Sequence, residues 1–180
     1  MIYSKMTVPQ VSMQHGVITI PKFEIILTAN SSNKLKGAYI KNQRYYPMIR
    51  SSWRRNDELE IFVQAGKQLK EYFSGVRKNF DLEYEFPDVA TYLQTKVWKH
   101  LTDIPYGMTM TYQEYAKKVS VVAAVRSVAS AVGRNPIIIF VPCHRLKRTD
   151  GRIGGYAAGE TLKQDLLRLE SHYGTNMQYK

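Results

Sequence analysis

The chain has 180 residues, enough for one large domain or two small ones, and its 44% hydrophobic and 12% aromatic content excludes a disordered segment. Its longest apolar run, residues 137–142, is far shorter than a membrane span, and MIYSKMTVPQ lacks the pattern of a signal peptide. The net charge of +11 favours a polyanionic partner such as nucleic acid. Residues 1–88 include 13 basic and 9 acidic residues, for a net charge of +4. Residues 89–180 include 13 basic and 6 acidic residues, for a net charge of +7.

The first part of the chain reads as strands followed by a helix. The runs GVITI, FEIILTA and GAYIKNQRYYP are rich in β-forming residues, and the turn cluster NSSNK interrupts them. DELEIFVQAGKQLKEYFSG then changes to helical spacing and stops at Gly75, with one apolar face formed by Leu59, Phe62, Leu69, Tyr72 and Phe73. The character of the chain changes again near Pro87. We therefore predict two domains, residues 1–88 and 89–180.

The second part reads as mainly helical. DVATYLQTKVWKHLTDIP predicts an amphipathic helix that ends by Pro105, and YGMTMTY predicts an exposed turn. Thr111 and Glu114 form a capping box for the next helix, and VVAAVRSVASAVG predicts another helix that ends at Gly133. These two short helices resemble a helix-turn-helix. The glycine-rich loop DGRIGGYAAGE and a final helix, ETLKQDLLRLESHYG, complete the chain.

Cys143, in the stretch VPCHR, is the only cysteine in the sequence. A lone thiol without a signal peptide indicates a reducing compartment, so we expect a cytoplasmic protein, or a nuclear one if the source is a eukaryote. No metal site is expected, because one thiolate is available and the four histidines are scattered at His15, His100, His144 and His172.

Cys143 is either a small buried hydrophobe or a nucleophile. His144 is the candidate base, but adjacent side chains in a strand or helix point in different directions, so the pair requires a tight turn or a bridging water. Glu170 is the candidate for orienting the imidazole, since it lies at the edge of the apolar stripe of the last helix. The alternative for Glu170 is a solvated glutamate that pairs with a surface lysine.

The helix AAVRSVASAV is built almost entirely of small side chains around Arg126. Small side chains allow close approach either to another helix or to a nucleic-acid groove. A buried packing helix would explain the alanines but would leave Arg126 without a partner, whereas a groove-facing surface explains both. Asn135, followed by Pro136, is a turn signal.

Together these motifs resemble the 6-O-alkylguanine–DNA alkyltransferases, also called methylated-DNA–protein-cysteine methyltransferases. The resemblance runs from about Asp88 to Tyr173 and depends on GRNP, VPCHR, GGYAAG and Glu170, while the first 88 residues are similar more loosely, through LKEYFSG. It implies an α/β (α+β) fold: an RNase H-like N-terminal α/β domain, then a mainly helical C-terminal domain with a helix-turn-helix.

The resemblance also implies the reaction. Cys143 would accept the alkyl group from DNA irreversibly, in a single turnover and without a cofactor. His144 would act as a base through a bridging water, Glu170 would orient His144, and Asn135 would stabilise the active-site turn. Tyr112 would donate a hydrogen bond to a ring nitrogen of the leaving guanine.

The resemblance assigns further residues to substrate binding. Arg126 would fill the place of the flipped nucleotide in double-stranded DNA. The backbone carbonyls of Cys143 and Leu146 would accept hydrogen bonds from the guanine amino group. Tyr156 and Ala157 would contact the base in the glycine-rich loop, with the Ala157 N–H donating to the alkylated oxygen. The implied partner is double-stranded DNA with an alkylated guanine, bound by a monomer that has no membrane contact.

Two other functions are compatible with the same residues. A cysteine hydrolase could use the set Cys143, His144 and Glu170, but it would regenerate its thiol, whereas an alkylated thiol has no easy leaving group. A non-catalytic lesion sensor could use the same DNA-binding helices, but such sensors lack a cysteine at the position of Cys143.

Overall fold

The computed structural model describes residues 13–20, 23–119 and 124–175. The first part forms a four-stranded sheet of order β3-β2-β1-β4. β1 and β3 pair antiparallel with β2, and β4 pairs parallel with β1. In chain order, the strands are β1 (Gln14–Ile20), β2 (Phe23–Ala29), β3 (Leu35–Ile40) and β4 (Arg54–Arg55). The apolar run FEIILTA forms β2, one of the two inner strands, which confirms the predicted strand.

The third predicted strand is shorter than its sequence suggests. β3 ends at Ile40, so the prediction that the run continues to Pro47 was wrong. Asn42 and Tyr45 adopt positive φ angles of 65° and 62°, which are incompatible with an extended strand. Residues 41–47 are instead a loop between β3 and β4, which we call the β3–β4 loop.

Helix α1 (Glu60–Phe73) follows the sheet and buries the predicted apolar face, including Phe62, Leu69 and Tyr72. The helix stops just before Gly75, as predicted. The φ of 78° at Gly75 is available to glycine without steric cost. The N–H groups of Gly75 and Val76 donate to the carbonyls of Tyr72 and Glu71, which satisfies two of the last carbonyls of the helix.

The second part contains four α-helices among the described residues and a short parallel pair of strands. The prediction of an exposed turn over residues 106–112 was partly wrong, because Met110–Thr111 pairs with the chain just after Cys143. Both components of the predicted capping box between Thr111 and Glu114 are present. The elements are α2 (Tyr92–Leu101), β5 (Met110–Thr111), α3 (Tyr112–Lys118), α4 (Val125–Gly133), β6 (Leu146–Lys147) and α5 (Glu160–Thr175).

The two parts share one hydrophobic core, which runs from β2 to α5. The Ala38 N–H donates to the Pro136 carbonyl at 2.8 Å, and the Tyr72 hydroxyl donates to Glu170 at 2.7 Å. The segment that leads to Cys143 and the last helix therefore both contact the first part of the chain, and the domain boundary near Pro87 stays a prediction. Within the described ranges, every helix is too short or too polar to cross a membrane.

Candidate active site

Cys143 lies in a tight turn at the end of a buried apolar segment. Residues Cys143–Arg145 form one turn of 3₁₀-helix directly after Pro142. Before it, the Val141 N–H donates to the Ile137 carbonyl at 2.9 Å, and Ile139 has a φ of 73°. A β-branched residue in this conformation is strained, so the surrounding core must hold the segment in place. Adjacent residues such as Cys143 and His144 can act together only in a tight turn or through a bridging water, and the structure has the tight turn.

Asn135 connects the two ends of this segment. Its amide Nδ2 donates to the Val141 carbonyl at 2.8 Å and to Cys143 Sγ at 3.1 Å. Its Oδ1 accepts from the Ile137 N–H at 3.0 Å. One buried side chain therefore fixes the turn and contacts the thiol directly.

His144, the residue after Cys143, forms a buried pair with Glu170 of α5. The distance from His144 Nε2 to Glu170 Oε1 is 2.9 Å, and the side chains are 0% and 1% exposed. The other ring nitrogen, Nδ1, has no hydrogen-bond partner within the described part of the chain. The solvated-glutamate alternative for Glu170 is therefore wrong.

Glu170 also holds neighbouring elements together. Arg145 binds both carboxylate oxygens at 2.9 Å, and the Gly107 N–H donates to Oε2 at 3.2 Å. Burial alone would raise the pKa of Glu170, but hydrogen bonds from His144 and Arg145 hold it at about 2. The carboxylate is therefore ionised, and it binds His144 beside Cys143 as well as Arg145 and Gly107, which belong to other parts of the fold.

The thiol and the imidazole are both neutral in the free protein. Burial raises the pKa of Cys143, although the hydrogen bond from Asn135 and the charge of Lys163 oppose the increase. Burial lowers the pKa of His144, against the opposing effect of Glu170. A neutral thiol must lose its proton before or during the attack, and a neutral imidazole can accept that proton.

Lys163 is a site residue that the sequence reasoning missed. Its side chain is fully buried, and its Nζ has no hydrogen-bond partner among the described residues. The amine lies 5.7 Å from the centre of the Tyr112 ring. Burial lowers its pKa to about 8, while Cys143 and Glu160 act in the opposite direction. The buried positions Lys163, Leu166 and Glu170 follow helical spacing, which was the signal available in the sequence.

A narrow pocket connects Cys143 to a wider groove. The pocket leaves about 10 Å³, room for one water molecule, and Tyr112, Asn135, Tyr156 and Ala157 line it with Cys143. The adjoining groove has a volume of about 510 Å³ and shares Tyr112, Tyr156 and Ala157 with the pocket. Burial raises the pKa of Tyr112 to about 12, so its hydroxyl remains a proton donor at neutral pH.

Two predicted binding residues do not line this pocket. Leu146 is buried beyond the turn, and its N–H donates to the Cys143 carbonyl, which leaves that carbonyl one lone pair. Arg126 is exposed on α4 and lines a separate groove of about 390 Å³ together with Ser130 and Arg134.

The fold is that of DNA alkyltransferases. Residues 92–172 match a family model described as 6-O-methylguanine DNA methyltransferase, DNA binding domain. A crystal structure of Mycobacterium tuberculosis OGT in complex with DNA has a TM-score of 0.79 at 34% identity, covering 89% of this chain and 94% of that one.

Curated relatives extend the match over nearly the whole chain. Methylated-DNA–protein-cysteine methyltransferases of Methanosarcina barkeri and Methanosarcina acetivorans are 38% and 41% identical to this chain, and the matches cover 89% and 88% of this chain and 98% of each relative. The chain belongs to the methylated-DNA–protein-cysteine methyltransferase family.

Proposed function

We propose that this protein repairs 6-O-alkylguanine in double-stranded DNA by transferring the alkyl group to Sγ of Cys143. The observation that carries the proposal is a thiol that accepts a hydrogen bond from Asn135 inside a pocket, while the next residue, His144, is paired with Glu170. A new S–C bond forms as the C–O bond breaks, and the electron pair of that bond moves to the guanine. The thioether is stable, so each molecule reacts once.

The thiol proton would leave through His144. Glu170 is ionised, so Nε2 of His144 is its hydrogen-bond donor and Nδ1 remains an acceptor. We propose that a bridging water carries the proton from Cys143 to this Nδ1. Such a relay accounts for a neutral resting thiol that becomes a thiolate only during the reaction.

Tyr112 would assist the departing guanine. Its hydroxyl is protonated at neutral pH and lines the pocket of Cys143, so it can donate a hydrogen bond to a ring nitrogen as negative charge develops there. His144 releases the thiol proton to solvent and the guanine takes one up, so the net change is transfer of the thiol proton to guanine. The Ala157 N–H would donate to the alkylated oxygen.

DNA binding would use the second part of the chain. The net charge of +7 after Asp88 supports binding of the phosphate backbone. Helices α3 and α4 would act as a helix-turn-helix, with exposed Arg126 on α4 filling the space left by the flipped base. Their connection, residues 120–123, lies outside the described residues. The carbonyls of Cys143 and Leu146 remain our proposed acceptors for the guanine amino group.

The first part would form an RNase H-like domain. The strand order β3-β2-β1-β4, with β4 parallel to β1, supports this arrangement. Its contact with Glu170 through Tyr72 indicates that it also supports the active site.

The test follows the methyl group itself. A duplex with a radiolabelled methyl group on guanine is incubated with the wild-type protein or with Cys143→Ser. We expect the label to move to the wild-type protein and to stay on DNA with the variant. Label released into solution with continuing turnover would instead support a hydrolase.

A further inference from the structure

The β3–β4 loop contacts the active-site pocket from the N-terminal part of the fold. The Arg44 N–H donates to the Ala157 carbonyl at 2.9 Å, which joins this loop to the glycine-rich loop. The adjacent Gln43 is buried, and its Oε1 accepts from the Ile40 N–H at 2.8 Å. The loop is therefore anchored at its base and at the pocket.

Tyr45, at the exposed end of this loop, has an unusual backbone conformation. Its φ is 62°, which is rare for a bulky residue. Its side chain is 41% exposed, so core packing does not explain why a tyrosine occupies a position that glycine or asparagine would fill more easily. Strain of this kind is concentrated at ligand-binding sites.

Two arginines from distant parts of the chain lie against the Tyr45 ring. The guanidinium carbon of Arg44 is 4.9 Å from the ring centre, and that of Arg134, directly after α4, is 4.6 Å from it. Neither guanidinium has a carboxylate partner or a hydrogen bond in the part of the chain that the structure describes. The Tyr45 ring thus contacts two positively charged guanidinium groups, and their N–H groups have no acceptor among the described residues.

Arg44, Tyr45 and Arg134, which we call the arginine cluster, line the groove that adjoins the pocket of Cys143 and a neighbouring groove. Arg44 and Tyr45 line the 510 Å³ groove that contains Tyr112 and Ala157. Arg134 lines the groove on the other side of Ser130, which also contains Arg126. A DNA strand that delivers a base to Cys143 through the 510 Å³ groove would run beside Arg44 and Tyr45, and Ser130 of α4 lines both grooves.

We propose that Arg44 and Arg134, held together by Tyr45, bind phosphate groups of the DNA strand beside the flipped nucleotide. Guanidinium groups suit phosphate because their N–H donors match its oxygens in pairs. The inference rests on the proposed function and extends it: the N-terminal part of the chain contributes directly to DNA binding.

The test measures binding and chemistry separately. Binding of a methylated-guanine duplex is measured from about 50 to 200 mM salt in a Cys143→Ala background, which prevents transfer. We expect Arg44→Ala and Arg134→Ala each to weaken binding about three- to tenfold and to lower the salt slope by about one. Lys67→Ala, which removes an exposed charge from α1, is the control and should leave both unchanged.

Chemistry is followed with free 6-O-benzylguanine, which has no phosphate. With Cys143 intact, Arg44→Ala and Arg134→Ala should react with this base at the wild-type rate. Thermal melting verifies that the variants are folded.

Two results would overturn the inference: affinities and salt slopes equal to those of Lys67→Ala, or an equal loss of rate on the free base, which would indicate a role in pocket shape. Failure of the proposed function is distinguishable, because then the wild-type protein would not react with either substrate.

Discussion

His144 Nε2 lies 2.9 Å from Glu170 Oε1, and both side chains are buried. Since Arg145 keeps Glu170 ionised, the imidazole proton lies on Nε2, and Nδ1 is the nitrogen that can accept a proton. The pair therefore fixes the tautomer of His144. The same carboxylate accepts hydrogen bonds from Tyr72 and Gly107, so the catalytic role that we propose for Glu170 is combined with a role in holding the fold together.

Replacing Glu170 with glutamine should slow alkyl transfer about 10- to 100-fold, because the protonated imidazole loses its counter-charge. DNA affinity should stay near the wild-type value. Stability should fall by about 3 kcal/mol, since Arg145 loses a buried partner. The measurements are single-turnover rates at saturating DNA and chemical denaturation.

Tyr72→Phe is the matched control for this variant. It removes one hydrogen bond to Glu170 but keeps the carboxylate, so stability should fall by about 1 kcal/mol and the rate should remain within a few-fold of wild type. A wild-type rate for folded Glu170→Gln, with His144→Phe slow, would show that the glutamate has no part in activation.

The stabilising effect of Glu170 should depend on pH. Its pKa is lowered from 4.5 to about 2, so its ionisation contributes stability that is complete above about pH 5 and is lost as pH falls through 4.5 towards 2. The free energies of unfolding of wild type and Glu170→Gln should differ by about 3 kcal/mol at pH 7 and converge in acid. Denaturant titrations at several pH values test this, and a difference that does not shrink in acid would contradict the assigned pKa.

Long periodic segments were predicted well from the sequence, because their own residues determine them. FEIILTA forms β2, and the apolar spacing of Phe62, Leu69 and Tyr72 forms the buried face of α1. β4, β5 and β6 have two residues each and no pattern, because they form only through pairing with distant chain. The end of β3 was missed because Tyr45 and Tyr46 have high β propensity. The positive φ angles of Asn42 and Tyr45 turn the chain away from the strand despite that propensity.

The sequence singled out the residues that the structure brings together near Cys143 better than it singled out the residues that surround them. The single cysteine in the motif VPCHR left one candidate thiol, Cys143. The family resemblance then singled out Asn135 and Glu170 as its neighbours. Lys163 was missed because an isolated lysine normally lies at the surface. The contact between Arg134 and Tyr45 could not be predicted, since it joins residues far apart in the chain and depends on how the two parts pack.

Lys163→Met should have opposite effects on activity and stability. Removing the amine removes a charge that lowers the pKa of Cys143, so transfer to free 6-O-benzylguanine should slow several-fold near pH 7. The pKa of Lys163 is lowered from 10.5 to about 8, so below about pH 8 the folded state holds an unfavourable buried charge. The variant should therefore be about 1 to 3 kcal/mol more stable at pH 7.

Lys67→Met, on the exposed face of α1, is the control for Lys163→Met and should change neither quantity. Rates as a function of pH and denaturant midpoints provide the two readouts. A Lys163→Met protein that is less stable but reacts at the wild-type rate would show that the lysine only packs.

Asn135→Ala should destabilise the active-site turn. It removes three buried hydrogen bonds, to Val141, Ile137 and Cys143, for an expected loss of about 2 to 3 kcal/mol. It also removes a donor to the thiol that lowers the pKa of Cys143, so the rate should fall in protein that remains folded. Thermal melting and the rate on free 6-O-benzylguanine report the two effects, and a variant as stable as wild type would contradict this role.

The most direct test of the proposed function is the intact mass of the protein after titration with a methylated-guanine duplex, followed by peptide mapping. We predict that the mass rises by one methyl group in place of one hydrogen, that the added group maps to Cys143, and that repair stops at one lesion per protein molecule. Repair of several lesions by each molecule with Cys143 unmodified would contradict the proposal.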